Sequence, residues 1–414
     1  MGEWKKVSMK DNLEILTGYA FSSKNFNEEE GIPLIRIRDL ETHNPVTLYK
    51  GDYDDKYIIN KGDILVGMDG EFNIVRWKGP KALLNQRVAK INSKNPDIIS
   101  EDFIFYRLQG ELRKIEALTP ATTVKHLSKK DIEDLNLLLP PLGEQSKIAS
   151  ILSSVDEAIE KTEAIIEQTE KVKKGLMQQL LTKGIGHTKF KKTEIGEIPE
   201  EWEVKSFNDL LEMGYVLDIQ DGNHGESHPK ASDYVDKGIP FIMANNLVNG
   251  TLDLINCKFI KKDQADKLRI GFSIPGDVLL SHKGSIGKTA IVPDVEHYVM
   301  LTPQVTYYRV NHNFLSNKFL RYFFESDWFQ RKLEILSAQS TRSYIGITNQ
   351  KKLPMVLPTL DEQIKIVSII ESVERKLQNE ILHYEQLQTI KKALMQVLLT
   401  GKVRVKVDDE VMSQ

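Results

Sequence analysis

The stretch "LPPLGEQSKIASIL" at residues 139–152 returns as "LPTLDEQIKIVSII" at residues 357–370. A second pair, "KKGLMQQLLT" (173–182) and "KKALMQVLLT" (391–400), stands at the same offset of 218 residues. Across 139–182 and 357–400, 21 of 44 positions are identical, so the chain is written twice. The repeat is fainter upstream. "GEWKKVSMKDNLE" (2–14) parallels "EEWEVKSFNDLLE" (200–212), with Trp4 and Trp202 offset by 198. "GIPLIRIRDL" (31–40) parallels "GIPFIMANNL" (238–247) at 207, and "KGDILVG" (61–67) parallels "PGDVLLS" (275–281) at 214. "LNQRV" (84–88) against "TPQVT" (302–306) sets Gln86 opposite Gln304 at 218. The growing offset predicts one scaffold used twice, with insertions in the second copy.

Periodicity assigns the better-kept parts to helices. Ile148, Leu152, Val155, Ile159, Thr162, Ile166, Thr169, Lys173, Leu176 and Leu180 step by four and three, a coiled-coil seam. The second copy reads Ile366, Ile370, Val373, Leu377, Glu380, Tyr384, Leu387, Lys391, Leu394 and Leu398. Pro140-Pro141 and Pro358 mark the starts, and "LLTKG" and "LLTGK" the stops. Some 39 residues give a helix of ~58 Å. Antiparallel pairing of the two helices is expected, with a pseudo-twofold repeat and a globular half at each end.

The globular halves mix short alternating strands with glycine turns, followed by helical stretches at 100–118 and 316–336. The fold class is therefore α+β: two domains of mixed, largely antiparallel sheet with helices, separated by two long antiparallel helices. The expected boundaries are a first domain 1–138, helix 139–183, linker 184–199, second domain 200–356, helix 357–401 and tail 402–414.

The whole chain of 414 residues is 40% apolar and 28% charged, the composition of a globular protein, with net charge −3. No global field draws it to nucleic acid, so any such contact must be local. One cysteine, Cys257, excludes an internal disulfide framework and fits a reducing cytoplasm. No apolar run reaches membrane-spanning length, and the first residues lack a signal-peptide core.

Motifs for catalysis are missing. "SHKGSIGKTAIV" (281–292) resembles the end of a phosphate-binding loop, but His282 holds the place of the first glycine, and a β-branched run follows where a helix is needed. A glycine hairpin is the expectation. Histidines 224 and 228 in "DGNHGESHPK" and acids in "DYDD" (52–55) lack metal-site spacing, so no metal is expected. No GxSxG elbow or glycine-rich dinucleotide fingerprint occurs, and the chain is read as non-catalytic. The loops do carry groups suited to base edges and phosphates: Asn73, Arg76, Lys78, Gln86 and Arg87 in the first half, and His282, Lys283, Ser285, Lys288 and Gln304 in the second.

The paired Leu-Pro-x-Leu-x-Glu-Gln helix starts, "GEIPEEWEVKSF" (196–207) and the divergent halves together resemble the specificity (S) subunit of Type I restriction–modification enzymes, over essentially the whole chain. The resemblance implies that each half is a target recognition domain reading one half of a split double-stranded DNA site, with the helices setting the gap. It implies two methyltransferase (M) subunits that use S-adenosylmethionine on adenine N6, and restriction (R) subunits that use ATP and Mg. This chain itself would hold no cofactor and no membrane contact. The repeated helices then become candidates for the coiled-coil and M-subunit interface: Glu144, Gln145, Ile148, Leu152, Val155, Leu176 and Leu180, with Glu362, Gln363, Ile366, Ile370, Val373, Leu394 and Leu398. The competing expectation is a coiled-coil assembly adaptor that reads no DNA.

Overall fold

The computed structural model of the chain describes residues 3–120, 124–225, 228–338 and 343–407; the end of the expected tail, 408–414, lies outside them. Two compact units emerge, residues 1–164 with 382–414 and residues 165–381. The division runs through the long helices, Leu142–Lys183 and Leu360–Leu398, so each unit takes the start of one helix and the end of the other.

In the first unit, a four-stranded antiparallel sheet runs Leu13–Thr17, Val88–Ser93, Ile64–Gly67, Ile74–Arg76. A five-stranded sheet runs Phe26–Asn27, Leu48–Tyr49, Ile32–Ile35, Ala82–Leu84, Ile58–Ile59, and its pair Ile32–Ile35 with Ala82–Leu84 is parallel. The second unit repeats both orders. Val216–Asp221, Val305–Val310, Val278–Ser281 and Thr289–Ile291 form its antiparallel sheet. Tyr234–Val235, Lys258–Ile260, Ile239–Ile242, Val299–Leu301 and Phe272–Ser273 form its mixed sheet, with Ile239–Ile242 parallel to Val299–Leu301. Each half therefore pairs a four-stranded antiparallel sheet with a five-stranded sheet that contains one parallel pair, the mixed, largely antiparallel arrangement expected from the sequence.

The helices behind these sheets follow from their caps and apolar faces. Glu101–Leu118 starts at Ser100, whose side chain accepts from the Phe103 amide, and buries Phe103, Ile104, Leu108 and Leu112. In the second unit the expected single helix is two, Asn317–Glu325 and Asp327–Ala338. Ser326 breaks it, leaving the helical conformation at ψ 145° and accepting from the Phe329 amide to cap the next turn. Residues 139 and 357 end strands (Asn136–Leu139, Pro354–Leu357) instead of opening helices. Proline lacks an N–H and restricts the residue before it to extended backbone, so Pro140 and Pro358 delay each helix by three residues.

Each core joins the antiparallel sheet to the helix pair. In the first unit Met9, Leu13, Ile91, Phe103 and Leu112 pack with Ile148 and Leu152 of one long helix and Leu398 and Leu399 of the other. In the second, Trp202, Phe207, Tyr308, Phe319 and Phe324 pack with Leu180, Ile366 and Ile370. Each such side chain contributes about 1.5–3 kcal/mol by leaving water, so the long helices are integral to both cores. Val155, Leu176, Val373 and Leu394 of the expected seam are half-buried.

Candidate nucleic-acid interface

The glycine stretch that opened a question of phosphate binding is a hairpin. Val278–Ser281 pairs antiparallel with Thr289–Ile291, and the Gly287 amide donates to the Ser281 carbonyl at 2.9 Å. Gly284 and Gly287 turn the chain at φ 77° and 87°, values that side chains resist. A strand follows Lys288, so no helix N-terminus faces an anion.

Beside this hairpin the backbone is tied on both sides. The His282 amide donates to the Gln304 carbonyl at 2.9 Å, the Ile345 amide to the His282 carbonyl at 3.0 Å, and the Gly284 amide to the Ser343 carbonyl at 3.2 Å. The first unit makes the same three bonds: Met68 to Arg87 (2.8 Å), Leu127 to Met68 (2.7 Å) and Gly70 to Lys125 (2.9 Å). Strand register agrees, since Val88 lies opposite Gly67 and Val305 opposite Ser281. The structural counterpart of Gln304 is therefore Arg87. The expected match of Gln86 with Gln304 is off by one residue, because the offset reaches 218 only after these strands. Gln86 is exposed, and its amide donates to the Tyr19 carbonyl.

One scaffold position thus carries two sets of side chains. In the first unit it presents Asp69, Arg87 and His126; in the second, Lys283, Gln304 and Tyr344. Asp69 accepts from Arg87 Nε at 3.2 Å and lies 2.6 Å from His126 Nδ1. Arg87 sits at φ 74° and is half-exposed. Asp69, His126 and Tyr344 escaped the sequence reading, though His126 and Tyr344 stand at the repeat offset of 218 and Asp69 and Lys283 at 214.

The other candidates divide by unit. Arg76 pairs with Asp102 at 2.5 Å and lies over the Phe105 ring, Lys78 pairs with Glu160, and Asn73 donates to Glu41 at 3.2 Å. Solvated pairs of this kind contribute about 0–1 kcal/mol. Lys283, Ser285 and Lys288 are exposed, and among the described residues neither lysine has an ion pair. His282 does not belong with them. It is 2% exposed, and its Nδ1–H donates to the Ile345 carbonyl at 3.2 Å. Burial holds its pKa below the ordinary value, against the pull of Asp221 at 3.8 Å. It positions the 343–345 segment and is covered by it. Gln304 is half-buried, its Oε1 accepting from the Ala244 amide at 3.1 Å.

Four of the candidate interface residues are engaged inside their own unit. Gln145 accepts from the Ser100 amide (2.9 Å) and donates to the Ile98 and Pro140 carbonyls (2.8 and 2.9 Å). Gln363 repeats this with Ser316, Phe314 and Pro358. Glu144 receives Arg404 at 2.7 and 2.8 Å and the Val405 amide at 3.2 Å. Glu362 receives the Ile185 amide, His187 and Trp202. The Leu-Pro-x-Leu-x-Glu-Gln motif is thus a clamp from helix start to domain and to the segment following the opposite helix.

No group of three or more metal-ligating side chains occurs among the described residues, and none of their helices is long and apolar enough to cross a membrane. The family model for the Type I restriction modification DNA specificity domain matches residues 1–171 and again 199–392. The chain is 32% identical over 354 residues to the Type I restriction enzyme MjaVIII specificity subunit of Methanocaldococcus jannaschii, covering 84% of this chain and 81% of that one. It is 31% identical over 398 residues to the EcoBI specificity subunit of Escherichia coli, covering 91% and 82%. The fold matches the crystal structure of the Type I restriction–modification S subunit from M. genitalium with a TM-score of 0.59 at 15% identity, over 95% of this chain and 96% of that one. With its doubled domain, its repeated sheets and relatives that span most of its length, the chain belongs to the Type I restriction–modification specificity subunit family.

Proposed function

We propose that this chain reads a split double-stranded DNA target, each unit recognising one half-site, and places methyltransferase subunits for adenine N6 methylation. In this reading the chain performs no chemistry. S-adenosylmethionine belongs to two M partners, and ATP and Mg to R partners that add restriction. The observation that carries the reading is the pair of constellations at one scaffold position. Two sheets with identical strand order present Asp69, Arg87 and His126 in one copy and Lys283, Gln304 and Tyr344 in the other. A scaffold kept constant while its presented donors and acceptors change is what two different base sequences require. Near-neutral net charge fits a reader whose partners supply much of the phosphate contact.

The test exchanges residues 200–356 for the corresponding domain of another family member and maps N6-methyladenine across a genome. One half-site should change while the other stays. Change in both would overturn the modular reading, and sequence-independent binding by the assembled complex would leave an adaptor.

A further inference from the structure

In the second unit a cleft of about 190 Å³ opens beside the hairpin, lined by His228, Met243, Lys283, Thr302, Pro303 and Gln304. Two of its polar side chains, Lys283 and Gln304, offer donors, while His228 donates its Nδ1–H to the Asn223 carbonyl at 3.0 Å. The Lys283 ammonium is exposed, with no ion pair among the described residues. The Gln304 carboxamide is oriented by its own fold, since Oε1 accepts from the Ala244 amide and Nε2 is left to donate. The Thr302 hydroxyl is buried, in a residue 4% exposed, and has no hydrogen-bond partner. No carboxylate lines the cleft among the described residues. Backbone bonds from His282 to Gln304 and from Gly284 to Ser343 flank Lys283, so the donors stand on fixed strands.

We propose that this cleft is the specificity-determining site of the second unit and that it reads a guanine edge in the major groove. The proposal rests on the DNA-reading function above. Guanine presents two acceptors there, N7 and O6, and lysine is among their common partners. A free glutamine reads adenine by offering oxygen and nitrogen together. Gln304 has committed its oxygen to Ala244, so it offers N–H alone and matches acceptors. Met243 and Pro303 form an apolar wall that keeps water from competing.

Gln304→Glu keeps an oxygen for Ala244 and turns the free donor into an acceptor. Lys283→Met removes the other donor from an exposed position, so folding is little affected. Both variants, assembled with the methyltransferase partner, are to be assayed for binding and methylation on duplexes with one half-site randomised. The expected result is loss of preference for G·C at one base pair of one half-site, by about 10- to 100-fold, with the other half-site intact. Gln304→Glu should also favour an amino-bearing base, adenine or cytosine, at that pair. A uniform fall in affinity over all sequences would mean a phosphate contact and overturn the proposal. So would an unchanged preference in the intact complex, or a change at a pair where the wild type selects no guanine. A wild-type complex without sequence preference would instead defeat the underlying DNA-reading function.

Discussion

Lys173 sets its ammonium 2.6 Å from Glu374, and Lys391 sets its own 2.6 Å from Asp156. The two ion pairs are one pair written twice, because Asp156 and Glu374, like Lys173 and Lys391, stand at the repeat offset of 218. Moving 17 residues forward on one helix, from 156 to 173, moves 17 back on the other, from 391 to 374, which is antiparallel register. Each acid also accepts a tyrosine hydroxyl from its own copy, Tyr106 to Asp156 at 2.7 Å and Tyr322 to Glu374 at 2.5 Å. The acid therefore ties its own copy's domain helix to the other copy's long helix.

Replacing that acid should destabilise the fold. Glu374→Gln leaves Lys173 without its carboxylate and the buried Arg321 with Glu325 at 3.9 Å as its only carboxylate among the described residues, and a loss of about 2–4 kcal/mol is expected in urea unfolding. Asp156→Asn should cost less, since no arginine shares that acid in the first unit.

The same group sets a pH dependence. Burial pushes the Glu374 carboxyl up, but hydrogen bonds from Lys173 and Tyr322 and the Arg321 charge outweigh it, and the net pKa lies below the ordinary 4.5. A depressed carboxylate pKa contributes stability that is full above the unfolded value and lost as pH falls through the folded one. The stability gap between wild type and Glu374→Gln should be constant near neutrality and close below about pH 4.5. Urea midpoints measured from pH 7 to pH 3 check this.

Gln145→Ala and Gln363→Ala should each remove three hydrogen bonds, one buried and two partly buried, and leave two carbonyls and an amide without their side-chain partner. About 3 kcal/mol per site is expected, at roughly 1 kcal/mol per bond. The similar geometry at the two sites predicts similar shifts in melting temperature, measurable by calorimetry.

Gly222 and Gly18 hold equivalent places where two backbones meet. A Cβ would fall 1.9 Å from the Thr302 carbonyl oxygen at Gly222, and 2.0 Å from that of Asn85 at Gly18. Gly222→Ala should displace the segment carrying Thr302 and Gln304 and abolish selection at one half-site. Gly18→Ala should do the same for the other, through Arg87. Methylation mapping of both variants reads this directly.

Four residues inserted after Glu163 add about one turn, or ~6 Å, and nearly keep the seam. If helix length sets the gap, the half-site spacing should grow by roughly one to two base pairs at ~3.4 Å each, with both half-sites unchanged. Two inserted residues would turn Ile166 and Leu176 off the seam and should prevent assembly. An unchanged gap in the active four-residue variant would show that another element measures it.

The duplication, the helices and the hairpin were legible because identity and periodicity are local signals, strongest where Glu144, Gln145, Ile148 and Leu152 meet Glu362, Gln363, Ile366 and Ile370. The register of Arg87 against Gln304 was not. It depends on which residue faces Gly67 and Ser281 across the sheet, and a match of two glutamines outweighed that in the sequence. The break at Ser326 was hidden because the apolar pattern of Phe323, Phe324, Trp328 and Phe329 continues through it. Exposure was equally hidden: His282 and Lys283 are neighbours of similar polarity, yet His282 is buried against the 343–345 segment while Lys283 is exposed. The motif's Glu and Gln read as candidates for the coiled-coil and M-subunit interface because nothing local announces that Ser100, Arg404 or Trp202 will reach them.

The seam carries no label of which copy is which, since Asp156 and Glu374 offer the same charge at the same station, as do Lys173 and Lys391. That matters while the protein is being made. Chain growth at about 5–20 residues per second puts on the order of ten seconds or more between the emergence of the first long helix and that of the second. Over that interval Lys173 is without Glu374, its partner on the second long helix, and a neighbouring nascent chain of the same protein can offer the same acid at the same station. The choice between partners is then governed by local concentration, which the covalent tether raises once residues 360–398 are complete. Synthesis rate and ribosome spacing thereby become determinants of whether one chain closes on itself or two chains entangle.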